Sequence, residues 1–262
     1  MERDQGGGSD YGRDLERELG DEPAPAWRDS PPDILSPIDP NAPVSGHVAP
    51  RPASSSAPAA PEHDWEAASG MIFPAFRPVG TAGLRVEEID QARLLAEVAK
   101  SHAQPIVDEG PCGLAVVYAL HAGAYDVIVN GDHLLSWNVG PEEIQDAAMR
   151  NLEAWAAGAA WIEEASGDRR LLSSDTGDGW DASRILVAGA REHLADQLGR
   201  DGRVLVGLPD QHLLVAGTLR PDDPDFATLF ADFIVEQSGG ADMPIDRRVF
   251  ELVDGRLVEF AG

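Results

Sequence analysis

The sequence predicts a single α+β domain with a largely antiparallel sheet, and three observations carry that expectation. Apolar, strand-like runs arrive in pairs around tight-turn dipeptides, at Asn130-Gly131, Pro209-Asp210 and Asp254-Gly255, which is how hairpins are written in sequence. Segments with the helical period stand between those pairs. Neither the glycine fingerprint of a dinucleotide-binding βαβ unit nor a phosphate-binding loop occurs, so a doubly wound parallel sheet is disfavoured.

Residues 1–69 read as a disordered, acidic tail rich in Pro, Ser and Gly, which has too few apolar positions to offset its ordering entropy. Residues 51–61 form a low-complexity linker. Residues 11–19, of mixed charge, are the one stretch suited to a transient helix. Trp27 or Ile34-Leu35 would be a docking motif if the tail is more than a spacer. The folded domain is expected over 70–262, and a unit of that size buries roughly 70% of its unfolded surface.

The domain opens with Ile72-Phe73-Pro74-Ala75-Phe76, apolar and held extended by proline. A helix is expected over 86–101, with Ile89, Leu94, Leu95 and Val98 inward. Strands are expected over 114–120 and 125–129, and Asn130-Gly131 as a hairpin turn before a return strand over 132–137. Pro141 with Glu142 and Glu143 opens a long helix to about 161, striped by Ile144, Ala148, Leu152, Trp155 and Ala159. A strand follows over 169–173.

The stretch 178–217 organises the rest. Asp178-Gly179-Trp180-Asp181 reads as a turn ending in an Asp181 helix cap, a contact worth roughly 1 kcal/mol. A helix over 182–198 would bury Leu186, Val187, Ala190, Leu194 and Leu198 and stop at Gly199. Residues 204–208 read as a strand buried on both faces, Pro209-Asp210 as the centre of a type I turn, and 212–216 as the returning strand. Downstream, Asp223-Pro224 caps a helix bearing Phe226, Leu229, Phe230, Phe233 and Ile234 at i, i+3, i+4, i+7 and i+8, ended by Gly239-Gly240. A hairpin over 248–260 closes the chain.

Several strings in this region resemble the bacterial YtpQ-like family of uncharacterised proteins. They are Gly177-Asp178-Gly179-Trp180-Asp181-Ala182-Ser183-Arg184-Ile185-Leu186 and Leu208-Pro209-Asp210-Gln211-His212-Leu213-Leu214, with Ile72-Phe73-Pro74-Ala75-Phe76-Arg77, Tyr118-Ala119-Leu120, Met243-Pro244-Ile245 and Asp254-Gly255 in the family's order. The resemblance spans about residues 71–260. It brings no activity with it, because the family has none established. Family members carry polar and charged residues just before Tyr-Ala-Leu. Here that segment is Gly110-Pro111-Cys112-Gly113-Leu114-Ala115, so chemistry resting on those groups would be lost.

Composition narrows the function classes. The formal net charge is −26, a surface that repels phosphate backbones and anionic lipid, so no nucleic-acid or membrane partner is expected. Lys100 is the sole lysine among 20 Lys and Arg, a usage that points to GC-rich bacterial codons. With Cys112 the only cysteine, neither an internal disulfide nor a cysteine-based zinc cage is expected. The Met-Glu-Arg-Asp start is no signal peptide and no apolar run is long enough to span a bilayer, so a cytoplasmic location is expected.

Few residues stand out as chemistry. Asp175, Asp178 and Asp181 lack the alternate spacing of a calcium loop. Asp178, Asp181, Ser183 and Arg184, at a helix start, are candidate anion or ligand contacts, with Asp210 and Gln211 across the following turn as a second half. The competing reading pairs Arg184 with Asp178 or Asp181 to pin the turn. Ser183 lacks a nucleophile-elbow sequence. His121, His133, His193 and His212 have no ligand spacing, Cys112 suits a small buried hydrophobe, and Trp137, Trp155, Trp161 and Trp180 suit packing. No catalytic residue, metal or cofactor is expected. The leading expectation is a non-catalytic binding or adaptor domain for a protein or small molecule. The alternative is an enzyme for a small anionic substrate at Asp181, Arg184 and Gln211, and a toxin-neutralising or nucleic-acid-mimicking acidic protein is third.

Overall fold

The computed structural model describes residues 60–122 and 125–262. The candidate helix at 11–19, the docking candidates Trp27 and Ile34-Leu35, and almost all of the 51–61 linker lie outside them. The described residues form an α+β unit of two mostly antiparallel sheets with helices between and outside them.

The folded unit begins earlier than 70. A 3-10 turn at Pro61–His63 leads into α1 (Trp65–Ala68), capped by the Asp64 carboxylate. Ala68 is fully buried, the Trp65 ring lies 5.7 Å from that of Trp137, and Trp137 Nε1 donates to Pro61 O at 3.0 Å. The proline-rich composition hid these two anchors.

The first sheet contains β1 (Ile72–Arg77), β2 (Leu84–Arg85), β3 (Ile106–Glu109), β4 (Ala115–His121) and β5 (Asp126–Ile128). Its order is β1-β4-β3-β2, with β5 also on β4, and only the β2–β3 pair is parallel. Pro74 is tolerated because β1 is an edge strand, paired with β4 alone. The long helix α4, preceded by α2 (Gln91–Ala96) and α3 (Gly131–Trp137), runs from Pro141 to Gly158. It closes that edge: Asn151 Nδ2 donates to Ser69 O and Ile72 O, each at 2.8 Å.

The second sheet contains β6 (Ile162–Ser166), β7 (Arg169–Ser174), β8 (Arg203–Asp210), β9 (Leu213–Leu219), β10 (Val249–Val253) and β11 (Arg256–Glu259), in the order β11-β10-β8-β9-β7-β6. It is antiparallel throughout. Alternation along the strands gives both sheets two buried faces. Ile72, Phe76, Val116 and Leu120 meet Val204, Val206, Leu214 and Phe250 in the principal core. The other face of the first sheet, through Ala75, Val117 and Ala119, packs on Leu152 and Trp180. The α5 helix (Ala188–Leu198) adds Leu194 and Leu198 to the principal core.

The outer face of the second sheet is covered by α6 (Asp225–Gly240), through Phe226, Phe230 and Ile234. Two glycines let it sit close. A Cβ at Gly207 would collide with Ile234, and one at Gly217 would meet Phe226 Cζ at 2.6 Å.

Five expectations are corrected. The Asn130-Gly131 pair starts α3 instead of a hairpin: the Asn130 side chain accepts from His133 N at 3.1 Å, and His133 Nδ1 accepts from Asn130 N at 3.2 Å. Asparagine serves turns and helix caps alike, and this reciprocal pair selects the cap. The helix expected over 86–101 shrinks to α2, because Asp90 caps Arg93 N and restarts the backbone there; Leu95 and Val98 face outward. The helix over 182–198 breaks into a 3-10 turn at Ala182–Leu186 and α5, with Val187 extended at φ −78° and ψ 127°. Arg191 Nη1 takes the carbonyls of Ile185 and Leu186 at 2.8 and 2.7 Å, which a continuous helix would use internally. Pro209 and Asp210 belong to β8, and the turn is Gln211-His212. At α6, the Asp223 side chain gives no cap and pairs with Arg169 instead.

Candidate functional site

The 3-10 turn at Ala182–Leu186 joins the two sheets, touching β1, β9 and α4. Asp181 is fully buried. It caps no helix: its carboxylate accepts from Ser174 Oγ at 2.8 Å, Thr176 N at 3.0 Å and Thr176 Oγ1 at 3.0 Å. Arg184 is only 3% exposed. It donates to Ala156 O, Ala159 O and Ala160 O at 3.0, 2.5 and 3.0 Å and to Ser174 Oγ at 3.0 Å. Those carbonyls lie at and just past the C-terminal end of α4, where a cation suits the helix dipole. The guanidinium also stacks 3.9 Å from the Trp161 ring centroid. Burial pulls its pKa down, partly offset by Asp181. Among the described residues Arg184 Nε has no hydrogen-bond partner.

Arg184 therefore pairs directly with neither Asp178 nor Asp181. Asp178, exposed, accepts from Trp155 Nε1 at 2.9 Å. Ser183 is buried, and among the described residues no His or carboxylate hydrogen-bonds to it. Asp210 Oδ1 accepts from His212 N at 2.6 Å and shapes the turn, while Gln211 Nε2 lies 3.0 Å from His212 Nε2. The two halves meet through backbone, Ala182 N donating to Gln211 O at 3.3 Å, and the side chains of Arg184 and Gln211 end on different partners.

Several of the strings behind the family resemblance meet at or beside this joint, while Asp254-Gly255 forms the β10–β11 turn. Ile72, Phe73 and Pro74 pair with Leu120, Ala119 and Tyr118. Phe73 stacks on Trp180 at 4.6 Å, and Ile245 N donates to Pro209 O at 3.1 Å. Apart from Arg184 Nε, the joint is built of packed rings and paired polar groups, which serve cohesion.

Other polar groups are likewise occupied. Tyr118 Oη donates to Asp108 Oδ2 at 3.1 Å, and burial together with that carboxylate pushes the phenol pKa up. Cys112 Sγ donates to Leu257 O at 3.4 Å, and burial raises the thiol pKa. Exposed His121 pairs with Asp126 at 2.8 Å. Among the described residues no group of three or more His, Cys, Asp or Glu is placed to hold a metal ion.

The outer flank of α6 is different. Leu229 and Phe233 are 50% and 36% exposed. With Leu171, Ala165 and the aliphatic stem of Glu164 they border an open groove of about 280 Å³ between α6 and the β6–β7 hairpin. Arg169 at its end is held by Asp223 at 2.6 and 2.8 Å. β6 is the outermost strand of its sheet and is exposed at all five residues.

The sequence signal for half of this groove was in plain view, in the Phe226–Ile234 periodicity. The other half was not, because Ile162-Glu163-Glu164-Ala165-Ser166 has the polarity of a loop.

Comparison of the chain with protein-family models, with curated proteins and with solved structures gave no match.

Proposed function

We propose that the chain is a non-catalytic binding or adaptor domain whose partner is a protein, met at the α6–β6 groove. The observation that carries this reading is the exposed Leu229–Phe233 flank beside a strand edge that pairs with no further strand among the described residues. A helix normally buries such residues, and an uncovered apolar strip next to open backbone suits a partner surface. A volume of about 280 Å³ holds one or two side chains and falls just short of the ~300–1,000 Å³ of small-molecule sites. At the alternative site, Asp181 and Arg184 are consumed by internal bonds and leave no free cation for an anionic substrate. The YtpQ-like resemblance and a cytoplasmic setting are part of the same proposal. Convergence of several of the resembling strings on one internal joint suits a shared scaffold, and no helix among the described residues is long and apolar enough to cross a membrane.

The test is site-specific photo-cross-linking in the full-length protein in its host. A photoreactive residue replaces Leu229, and a control replaces Val79, which is comparably exposed at 57% but lies elsewhere. A discrete adduct from position 229 and none from 79 is expected. Equal adducts at both positions, or none at 229, would overturn the reading.

A further inference from the structure

We infer that the free edge of β6 is a strand-addition site. An extended peptide segment, whose α6-facing alternate positions carry both apolar and Lys or Arg side chains, pairs with the backbone of Glu163 and Ala165, seating an apolar side chain beside Leu229 and Phe233 and a cation by Glu164. This rests on the protein-binding reading above and specifies the partner's conformation and chemistry.

The geometry of the hairpin sets which backbone groups are free. β6 and β7 are joined by the two-residue turn Gly167-Asp168, with Gly167 at φ +62°, and the flanking pair is Ser166↔Arg169. A two-residue turn closes on a hydrogen-bonded pair, and such pairs alternate along an antiparallel ladder. Ser166↔Arg169, Glu164↔Leu171 and Ile162↔Ser173 are then the bonded pairs. The N–H and C=O groups of Glu163 and Ala165 face away from β7. The ladder runs without a register break through all five pairs, so the outer edge is straight.

Two other sheet edges are covered. Asn151 and α4 cover β1, and the turn at Pro111–Gly113 meets β11, where Cys112 Sγ donates to Leu257 O. β6 carries no proline, lysine or bulge, the usual devices that blunt an edge. What it carries is Glu163 and Glu164.

Those glutamates choose the occupant. If a second copy paired Glu163 with its Ala165, Glu164 would face Glu164 directly, which is unfavourable. A basic strand reverses that sign. The cations nearby are already taken, Arg169 by Asp223 and Arg170 by Glu163. Glu164, Asp232 and Glu236 have no ion-pair partner among the described residues. Asp232 and Glu236 follow Leu229 and Phe233 by three residues, so they rim the same flank of α6. The groove thus presents an apolar floor, an acidic rim and a row of free peptide groups. The cross-strand pairs Glu164↔Leu171 and Ser166↔Arg169 lie on the α6 face, so alternate side chains of an added strand fall over Leu229 and Phe233.

The probe is a random peptide library displayed on phage and selected on the full-length protein, with enriched peptides then synthesised and titrated by fluorescence anisotropy. Apolar and Lys or Arg residues two positions apart, on one face of the strand, are expected. Ala165→Pro removes one outward N–H and no ladder bond, so it should melt as wild type does. It should weaken the peptide by about two- to tenfold, the weight of one interstrand bond. Glu164→Lys should weaken it too. Absence of enrichment, an acidic consensus, or equal binding by Ala165→Pro would overturn strand addition. The cross-link from position 229 separates the two levels. An adduct that survives Ala165→Pro leaves the groove as a protein-binding surface and removes strand pairing, whereas no adduct at 229 in any background removes the reading beneath it.

Discussion

Arg184 and Asp181 are three residues apart in one turn and are joined through Ser174, not to each other. Ser174 Oγ donates to Asp181 Oδ1 at 2.8 Å and accepts from Arg184 Nη1 at 3.0 Å. Nη1 and Nη2 also take the carbonyls of Ala156, Ala159 and Ala160, at and just past the end of α4. One arginine thus ties a helix end, a strand and a turn. Arg184→Ala should leave several buried acceptors unmet and cost about 3–5 kcal/mol. Arg184→Lys should rescue little, because an ammonium has no planar fork and stacks poorly on Trp161. Urea melts of the three proteins check this, and a loss below about 1 kcal/mol for the alanine variant would contradict it.

The cap at α3 makes stability depend on pH. His133 Nδ1 must be unprotonated to accept from Asn130 N, and burial holds the His133 pKa below its usual value despite Asp132. A histidine with a lowered folded pKa binds protons more readily when unfolded. Its contribution is therefore full above the ordinary value of about 6.5 and is lost as pH falls through the folded pKa. Thermal melts from neutral to mildly acidic pH should show this loss in wild type and a shallower one in His133→Gln.

How much of this was readable in sequence varies by element. The 141–158 helix, the 203–219 strand pair and the 249–259 hairpin follow from period and from Pro or Gly punctuation. The joint at 182–187 did not, since its apolar spacing fits a continuous helix. Only a distant choice, Arg191 taking the carbonyls of Ile185 and Leu186, breaks it. The roles of Asp181 and Arg184 were hidden for the same reason: their partners Ser174 and Ala156 to Ala160 are brought together by tertiary packing. At α6 the stripe was legible but its division was not. Which half faces the sheet depends on β6, whose glutamates disguise a strand.

Cys112 should behave as an inert thiol. Its sulfur is engaged by Leu257 O, and burial raises its pKa, with Glu259 and Asp246 adding to that and Arg248 opposing. Thiolate is the reactive form, so alkylation by iodoacetamide near neutral pH should be much slower than for an unhindered cysteine peptide. The rate should climb only at alkaline pH above that of the peptide. Fast labelling at pH 7 in the folded protein would show that this contact is open in solution.

The close seat of α6 on the second sheet is set by glycine. A Cβ at Gly207 collides with Ile234, so Gly207→Ala should force α6 outward and cost about 1–3 kcal/mol. Shortening the opposing side chain should return part of that cost. The double variant Gly207→Ala with Ile234→Val is expected to be more stable than the sum of the single changes predicts, because the sites touch. Strict additivity in a double-mutant cycle would mean that the strand relaxes independently of the helix.

The two flanks of α6 should answer to mutation in opposite ways. Phe230 is 3% exposed and packs on the sheet with Phe226 and Ile234, so Phe230→Ala should cost about 3–5 kcal/mol. Leu229, its neighbour in sequence, is 50% exposed, and Leu229→Ser should change stability by about 0.5 kcal/mol or less. The same Leu229→Ser change should abolish the expected adduct at the neighbouring Phe233 position when that site carries the photoreactive residue. Stability resides in one half of the stripe and recognition in the other. Stability curves paired with cross-linking yields, measured on the same variants, separate the two; a Leu229→Ser protein that melts far below wild type would place this flank in the core and undo the assignment.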